Sequence, residues 1–204
     1  EFGTKAAGAV ASVMNDYFRL NHARKPEHLD WKDSDSGYST PPGGNSYPLF
    51  SQVHEGDELA LRVREFELLR KRVDALYAEI PIDKRDAFYQ LAVYPVRGSE
   101  AMNLKFLETE RVQRAVSQKR KTVATHSAAA TDAYNEIGTE TEYYNTTMAS
   151  GKWNEMMDWK PRGLSVFNLP SQPADPGPQS VGLGVAVEGR FAPVFTGDAE
   201  SQTT

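Results

Sequence analysis

Histidines and carboxylates are the side chains of this sequence that could hold a metal or move a proton. A di-metal site in a helical bundle needs Glu-x-x-His pairs on facing helices, and the sequence has none. The acidic residues Glu55, Asp57 and Glu58 stand at a predicted helix start, where carboxylates suit the positive end of the helix dipole, so capping is favoured over metal binding. The sequence therefore predicts no metal site and no cofactor. Its histidines are His22, His28, His54 and His126.

Motifs for a serine nucleophile, a bound phosphate or a dinucleotide are also missing from the sequence. Gly182-Leu183-Gly184 lacks the third glycine and the following helix of a dinucleotide fingerprint, so it predicts a strand. Carboxylates are abundant, but a glycosidase pair must face one cleft at about 5 to 9.5 Å, which linear spacing cannot establish. No catalytic residue is therefore assigned, and the substrate-binding residues stay unknown.

The densest charged cluster beside aromatic residues consists of Arg19, Arg24, Lys25, Glu27 and His28. Charged side chains are mostly structural surface, so the favoured interpretation is a solvated helix end that forms salt bridges to an adjoining domain. The alternative is a lining for an acidic ligand.

A polar, turn-rich span follows Pro26 and runs to Pro48. Loops longer than about 15 residues are uncommon inside a compact domain and are usually functional or linkers. Aromatic side chains on such a loop are either anchors or a sugar-stacking platform, and anchors are favoured because buried aromatics contribute much packing energy. The aromatics here are Trp31, Tyr38, Tyr47 and Phe50. Together with Trp153 and Trp159 of a later segment, they are what a carbohydrate-binding module would use.

The composition is that of an ordinary globular chain. It has 204 residues, 39% of them hydrophobic, and a net charge of -5, which fits one sizeable domain or one domain with pieces of neighbours. Basic residues are scattered among acidic ones, which disfavours a nucleic-acid or anionic-membrane partner. Cysteine is absent, so no disulfide or cysteine-ligated zinc is predicted. The sequence contains no run of the roughly 20 apolar residues that a membrane span needs.

Apolar residues at steps of three and four predict long helices that must pack on each other. The clearest runs from Gly56 to Ile80, with its charged residues, Arg62 and Arg70 among them, assigned to the wet side. Three other helices are predicted. One runs from Thr4 to Asn21, and another from Thr122 to Met148 with Gly151 as its C-terminal cap. Between them in the chain, a helix from Asp83 kinks or breaks around Tyr94 to Gly98, near Pro95, and restarts with Ser99 as its cap.

The last part of the chain predicts a change of structure. Prolines between residues 170 and 178 predict a stiff linker, and alternation from Val181 to Val187 predicts a strand, with a second from Phe191 to Phe195. A lone strand pair is marginal in water, and the first helix begins with no convincing cap, so both ends look severed. Residues 1–4 are native or left by cloning, and Asn145-Thr146-Thr147 is a glycosylation sequon.

Four stretches along nearly the whole chain carry a family resemblance: YFRLNHARKPEHL at 17–29, DAFYQL at 86–91 with YPV at 94–96, YN at 144–145 with GKWNEMM at 151–157, and VAVEG at 185–189. On these stretches the chain resembles glycoside hydrolase family 115, the xylan alpha-glucuronidases. The resemblance implies a multidomain, exported enzyme with an N-terminal alpha/beta domain, a catalytic (beta/alpha)8 barrel, a helical bundle and a C-terminal beta-sandwich.

This resemblance implies a mainly helical fragment of such an enzyme. Residues 1–25 would be the last barrel helix, 26–169 the helical-bundle domain, 170–180 a linker and 181–204 the start of the sandwich. Because the catalytic acids of the family belong to the barrel, the fragment would be a structural, inactive accessory domain next to the barrel and the sandwich, with a homodimer contact and xylan as the parent's substrate. The alternatives are a carbohydrate-binding module and a helical protein-interaction module.

Overall fold

The structure, a computed structural model, describes residues 2, 4–29, 50–52, 56–175, 177, 182–185 and 195–198. The described part is mainly helical, which confirms the predicted class. Five α-helices follow each other along the chain: α1 (Thr4–Ala23), α2 (Glu58–Glu79), α3 (Ile82–Phe88), α4 (Tyr94–Ser117) and α5 (Val123–Thr146). Shorter turns of 3-10 helix lie at Pro26–His28, Met148–Gly151, Pro161–Gly163 and Ser165–Phe167.

The helices pack in a bundle in which α4 and α5 share the largest interface. Contacts between residues 97 and 140, and between 108 and 126, show that α4 and α5 run antiparallel. Helix α2 packs on α4, and α1 packs on α2. The small residues predicted to allow close approach of α5 do so at Ala130 and Ala133, which are both buried.

The main core lies where α1, α2, α3, α4 and α5 meet. It is built mostly from the predicted apolar stripes, since Phe66, Val73 and Phe88 are all fully buried in it, and Val96, which no stripe included, is fully buried there too. Burying one such side chain is worth about 1.5 to 3 kcal/mol, so the shared seam is the dominant source of stability. The full set of buried residues in this cluster is Val13, Leu20, Phe66, Leu69, Val73, Ile80, Phe88, Tyr89, Ala92, Val93, Val96, Tyr144 and Met148.

Helix α2 begins and ends within two residues of its predicted bounds. Asp57 caps its start, with the carboxylate accepting from the Ala60 amide at 2.9 Å. Asp57 and Gly56 both have positive φ angles, which the short side chain of aspartate tolerates. The extended conformation of Ile80 and the following Pro81 end the helix.

The helix is irregular near Pro95, as predicted, but the irregularity lies upstream of Pro95 and not between Tyr94 and Gly98. A π-helical turn spans Tyr89–Val93, and the Tyr94 amide donates to the carbonyl of Tyr89, five residues back. Pro95 then stands in the first turn of α4, where its missing amide hydrogen costs nothing. The wide turn also accommodates the ring, which in a regular helix would meet the carbonyl four residues back. Ser99 is buried inside α4 and caps nothing.

The predicted cap at Gly151 also needs correction. Helix α5 ends at Thr146, and Gly151 instead ends the 3-10 turn that follows, with φ +76°. A Cβ there would stand 3.1 Å from the Thr146 carbonyl oxygen, so the site favours glycine. The sequon residue Asn145 binds the backbone of Met157 through both its amide nitrogen (2.8 Å) and its amide oxygen (3.0 Å), which holds the next segment against the bundle.

The segment after α5 returns to α4 and is held there by Lys105. This lysine is fully buried, and its Nζ donates to the carbonyl oxygens of Val166 at 2.6 Å and Asn168 at 3.0 Å. Val166 packs in a second cluster with Leu29 and Met102. The aromatic segment after Gly151 therefore lies against the bundle, as predicted.

The two strands are β1 (Gly182–Val185) and β2 (Phe195–Asp198), paired antiparallel with Gly182 opposite Asp198. The first lies within the predicted strand, whose other residues fall outside the described part. Of the second predicted strand only Phe195 is described, and β2 continues beyond it. The division into domains stays a prediction. No described helix combines the length and apolar character that spanning a bilayer requires.

Candidate functional site

Arg62 lies inside the bundle, so its assignment to the wet side of α2 is wrong. Its Nε donates to Asn103 Oδ1 at 2.8 Å, and its terminal nitrogens donate to the carbonyl oxygens of Leu20 and Arg24 at 3.2 to 3.3 Å. The guanidinium also lies 4.5 Å from the ring centroid of Phe50. Burial lowers the pKa of Arg62 to about 10, which leaves it charged at neutral pH. It therefore ties the end of α1 to α2 and α4.

Arginines of the charged cluster at the end of α1 bind partners within the described part of the chain. Arg19 donates to Glu65 of α2 at 2.8 Å, and Arg24 donates to the carbonyl oxygen of His28 at 3.2 Å. Lys25 and Glu27 are exposed. These contacts give the cluster a structural role at the α1–α2 contact, and they leave salt bridges to another domain a prediction.

Arg70 of α2 binds three carboxylates that sequence reasoning did not bring together. It contacts Glu100 of α4 at 3.0 Å, Asp74 of its own helix at 3.5 Å, and Glu136 of α5. Glu100 is buried, and burial raises its pKa to about 7 despite the lowering effect of Arg70. One cation thus joins three helices.

Arg97 of α4 extends the same network. It binds Asp74 at 2.9 Å and Glu140 of α5 at 2.7 Å. The hydroxyl of Tyr89 donates to the second oxygen of Glu140 at 2.5 Å, and burial together with this bond raises the pKa of Tyr89. We call this set the acidic layer: Arg70, Asp74, Tyr89, Arg97, Glu100, Glu136 and Glu140. It has four carboxyl groups and two arginines.

The acidic layer is suited to holding helices together rather than to catalysis. Each of its carboxyl groups is bound to an arginine, so no free acid and base face each other across a cleft for glycoside chemistry. Among the described residues, no group of three histidine or carboxylate side chains could hold a metal ion. The signal that could have found the layer is the pairing of an arginine with a carboxylate one turn later on two helices, Arg70 with Asp74 on α2 and Arg97 with Glu100 on α4.

A mostly apolar groove of about 230 Å³ lies between α4, α5 and the segment after α5. Trp159 forms part of the wall of this groove and also packs against α5 at Gly138. The indole lies so close to this glycine that an added Cβ would stand 3.2 Å from it. Its ring lies 5.3 Å from that of Tyr134. Trp159 is thus an anchor that also lines a groove. The other lining residues are Tyr17, Pro26, Tyr94, Pro95, Gly98, Ser99, Met102, Ile137, Thr141, Asp158 and Phe167.

Of the other aromatic residues considered for sugar stacking, the structure describes Trp153 and Phe50. Trp153 is half-buried against the main core, and the ammonium of Lys152 lies 4.8 Å from its ring centroid. Phe50 packs on two smaller clusters and on Arg62. These contacts favour the interpretation of both residues as anchors. Trp31, Tyr38 and Tyr47 lie outside the described residues, as does His54.

A second cavity, of about 100 Å³, opens where α4 ends and α5 begins. We call it the arginine pocket. Unlike the groove it is polar, and three of its lining side chains are guanidinium groups on α4 or just after it. The lining residues are Gln52, Asp57, Arg111, Arg114, Ala115, Arg120, Thr122 and His126.

The charges around the arginine pocket are only partly paired. Arg111 binds Glu108 at 2.7 Å, and the other oxygen of Glu108 lies 2.7 Å from His126 Nδ1. Arg114 donates instead to the neutral backbone oxygen of Gln52 at 2.7 Å, and its buried Nε has no partner. Burial, and then the nearby charge of Arg120, lower the pKa of Arg114. The basic residues Lys119, Arg120 and Lys121 at this turn are exposed, and the sequence analysis predicted no pocket here.

Comparison with known proteins gives one informative similarity. No family model and no curated protein matches the sequence. A solved structure is similar over 88% of this chain, with a TM-score of 0.63 and 28% identity; it is that of a family GH115 4-O-methyl-alpha-glucuronidase, BtGH115A, with specificity for decorated arabinogalactans. This chain spans only 22% of that enzyme's chain. The fold described here is therefore similar to one part of a GH115 glucuronidase.

Proposed function

We propose that this chain is the helical accessory domain of an enzyme that removes glucuronic or 4-O-methylglucuronic acid from a polysaccharide, and that it is structural and inactive alone. The observation that carries the proposal is the similarity of 88% of the chain to about a fifth of a GH115 glucuronidase. The paired state of the carboxylates in the acidic layer supports the structural role.

The polysaccharide is a separate part of the proposal. The resemblance seen in the sequence implies xylan, whereas the similar structure belongs to an enzyme with specificity for decorated arabinogalactans. The feature common to both is the uronic acid branch, so we propose that sugar as the released group. An inverting mechanism, with a general acid and a water-activating base, would belong to residues of the barrel.

Exposed apolar side chains support a position beside other domains. Phe18 on α1 is 61% exposed, and Leu61 and Leu68, two turns apart on α2, are each 49% exposed. Residues seven apart share one helix face, so both leucines stand on one outward face of α2, with the charged Arg64 and Glu65 between them. We propose that these faces contact the barrel, the sandwich or a second copy of the enzyme. In this arrangement α1 is the last barrel helix and also packs on the bundle.

The inactivity is tested by incubating the purified chain with glucuronoxylan oligosaccharides and with glucuronidated arabinogalactan, and measuring free glucuronic acid and its 4-O-methyl ether. We expect no release above the rate of buffer alone. Enzymatic release from either substrate would refute the structural role, since no residue here is assigned to catalysis. Circular dichroism on the same sample verifies that the helices have formed.

A second candidate is carbohydrate binding, favoured by the groove beside Trp159. Titration with the same oligosaccharides, followed by tryptophan fluorescence, separates the two functions. For a scaffold we expect no saturable change. For a binding module, Trp159→Phe would abolish the change, whereas Trp153→Phe, a matched substitution against the core, would retain it. Light scattering tests the third candidate, a helical interaction module, which would form a defined oligomer without sugar.

A further inference from the structure

The arginine pocket collects more positive charge than the described residues neutralise. Arg111 is neutralised by Glu108, which is shared with His126. The carboxylate of Asp57 lines the pocket but is engaged as the cap of α2. Within the described part of the chain, Arg114 and Arg120 form no hydrogen bond or salt bridge with a carboxylate, and their charges repel each other, an effect that the nearby charge of Asp57 offsets only in part at Arg114. Two guanidinium groups held together in this way create a field that favours an anion.

The donors in the pocket are also left unused. The Nε of Arg114 is buried and has no hydrogen-bond partner, which is unfavourable for a polar group. Arginine presents Nε and Nη donors in a fixed fork that matches the oxygens of a carboxylate or phosphate. One Nη of Arg114 is bound to Gln52, so the side of the fork that includes Nε is the unoccupied one.

The start of α5 adds a third contribution. Thr122 lines the pocket at the N-cap of α5, makes no side-chain capping bond, and is followed by a first turn without acidic residues. The amides of such a turn and the helix dipole favour an anion. This contribution supports the arginines and would not define a site without them.

We infer that the arginine pocket binds one small oxyanion group, through Arg114 and Arg120 with Thr122 and the start of α5. A cavity of about 100 Å³ accommodates a carboxylate or phosphate group but not a whole sugar ring. The shared chemistry is a pair of oxygens carrying negative charge. Its source is either free inorganic phosphate or the carboxylate of a uronic acid whose ring stays outside the pocket.

The inference is tested by titration calorimetry of the full chain with sodium phosphate and, separately, with sodium glucuronate. Ionic strength is held constant with chloride, which removes general salt effects. We expect saturable binding of at least one of the two. Binding of phosphate alone assigns a free oxyanion, and binding of glucuronate assigns the uronic acid carboxylate. Saturable binding of neither, while the helical spectrum is intact, overturns the site.

Three variants locate the binding. Arg114→Gln removes the buried fork and is expected to weaken binding about ten-fold or more, in keeping with a charged hydrogen bond. Arg120→Gln changes an exposed residue, which should fold normally, and is expected to weaken binding several-fold. Lys71→Gln is the matched control, because it removes the same charge from an exposed site 14 positions beyond Asp57, about 20 Å away along α2. Binding that is equal in wild type and in both arginine variants would overturn the assignment.

This inference stands apart from the proposed function. A chain that binds no anion can still be an accessory domain, and a chain that releases glucuronic acid can still have the pocket. The calorimetry therefore tests only the anion site, and the activity assay tests only the proposed accessory role.

Discussion

The acidic layer and the arginine pocket lie toward opposite ends of the α4–α5 pair. Carboxylates outnumber arginines in the acidic layer, and arginines outnumber carboxylates in the arginine pocket. In the acidic layer, two arginines serve four carboxyl groups, and burial raises the pKa of the most buried carboxyl group, that of Glu100, with a smaller contribution from the neighbouring carboxylates. In the arginine pocket, arginines outnumber accessible carboxylates, and a guanidinium cannot give up its proton at ordinary pH. An acidic excess can thus be relieved by a proton, whereas a basic excess needs an external anion.

Removing Arg70 should have the largest effect, since its loss leaves Glu100 and Glu136 without their cation. We expect Arg70→Met to lower the free energy of unfolding by about 3 kcal/mol, as for breaking a largely buried ion pair. Arg72→Met, which removes contacts to Asp16 and Ser12 at the surface, should cost less than about 1 kcal/mol. Urea unfolding measures both. Equal losses of unfolding free energy in the two variants would show that the ion pairs of Arg70 contribute no more than ion pairs at the surface.

The pH dependence of stability tests the proton held by Glu100. Its pKa is raised from 4.5 to about 7 by burial, so the folded chain binds a proton in that interval that the unfolded chain does not. The resulting stability is complete below pH 4.5 and is lost as the pH rises through 7, by about 3 kcal/mol. Glu100→Gln should flatten this slope in urea unfolding between pH 5 and 8. Glu67→Gln, at an exposed position on α2, should leave the slope unchanged.

The basic end should respond to anions instead of protons. At a phosphate concentration ten times the dissociation constant, bound anion stabilises the wild type by about 1.4 kcal/mol relative to chloride. Thermal unfolding at matched ionic strength measures the difference, and Arg114→Gln should remove most of it. A phosphate effect that persists undiminished in this variant would place the anion elsewhere.

The smallest effect on the free energy of unfolding is expected for Arg120→Gln when no binding anion is present. Arg120→Gln relieves the repulsion of Arg114 and should raise the free energy of unfolding in chloride by about 0.3 kcal/mol, the scale of a like-charge surface pair. The sign of the change in unfolding free energy is the informative result, because removing an arginine should stabilise the protein here but destabilise it in the acidic layer. Replicate urea unfolding of wild type and variant resolves the sign, and a loss of stability would show that Arg120 has a favourable partner.

Periodicity predicted the helices and the buried seam, since Leu59, Phe66 and Val73 recur on one face and are buried as expected. Periodicity gave the wrong prediction for a charged residue that is buried. Arg62 carries a charge and was assigned to water, yet its aliphatic stem and its fork fit between Phe50, Asn103 and the end of α1. Hydrophobic patterns treat every arginine as exposed and do not register such partners.

The candidate sites were less predictable than the fold. The carboxylates of the acidic layer come from α2, α4 and α5, and no linear spacing relates Asp74 to Glu140. Pro95 illustrates the same difficulty locally. Its identity predicts a disturbance of the helix, but the wide turn at Tyr89–Val93 that accommodates it depends on hydrogen bonding upstream. Residues that act across the chain become visible only once the helices are placed.

The ammonium of Lys105 holds two carbonyls only two positions apart, those of Val166 and Asn168. Such a clasp fixes both the place and the direction of the backbone as it crosses α4. Loosening it should release residues 162–168 together, so that their backbone amides should exchange with deuterium as a single group. A side chain in the middle of α4 thereby sets the course of a segment more than 50 positions further along the chain.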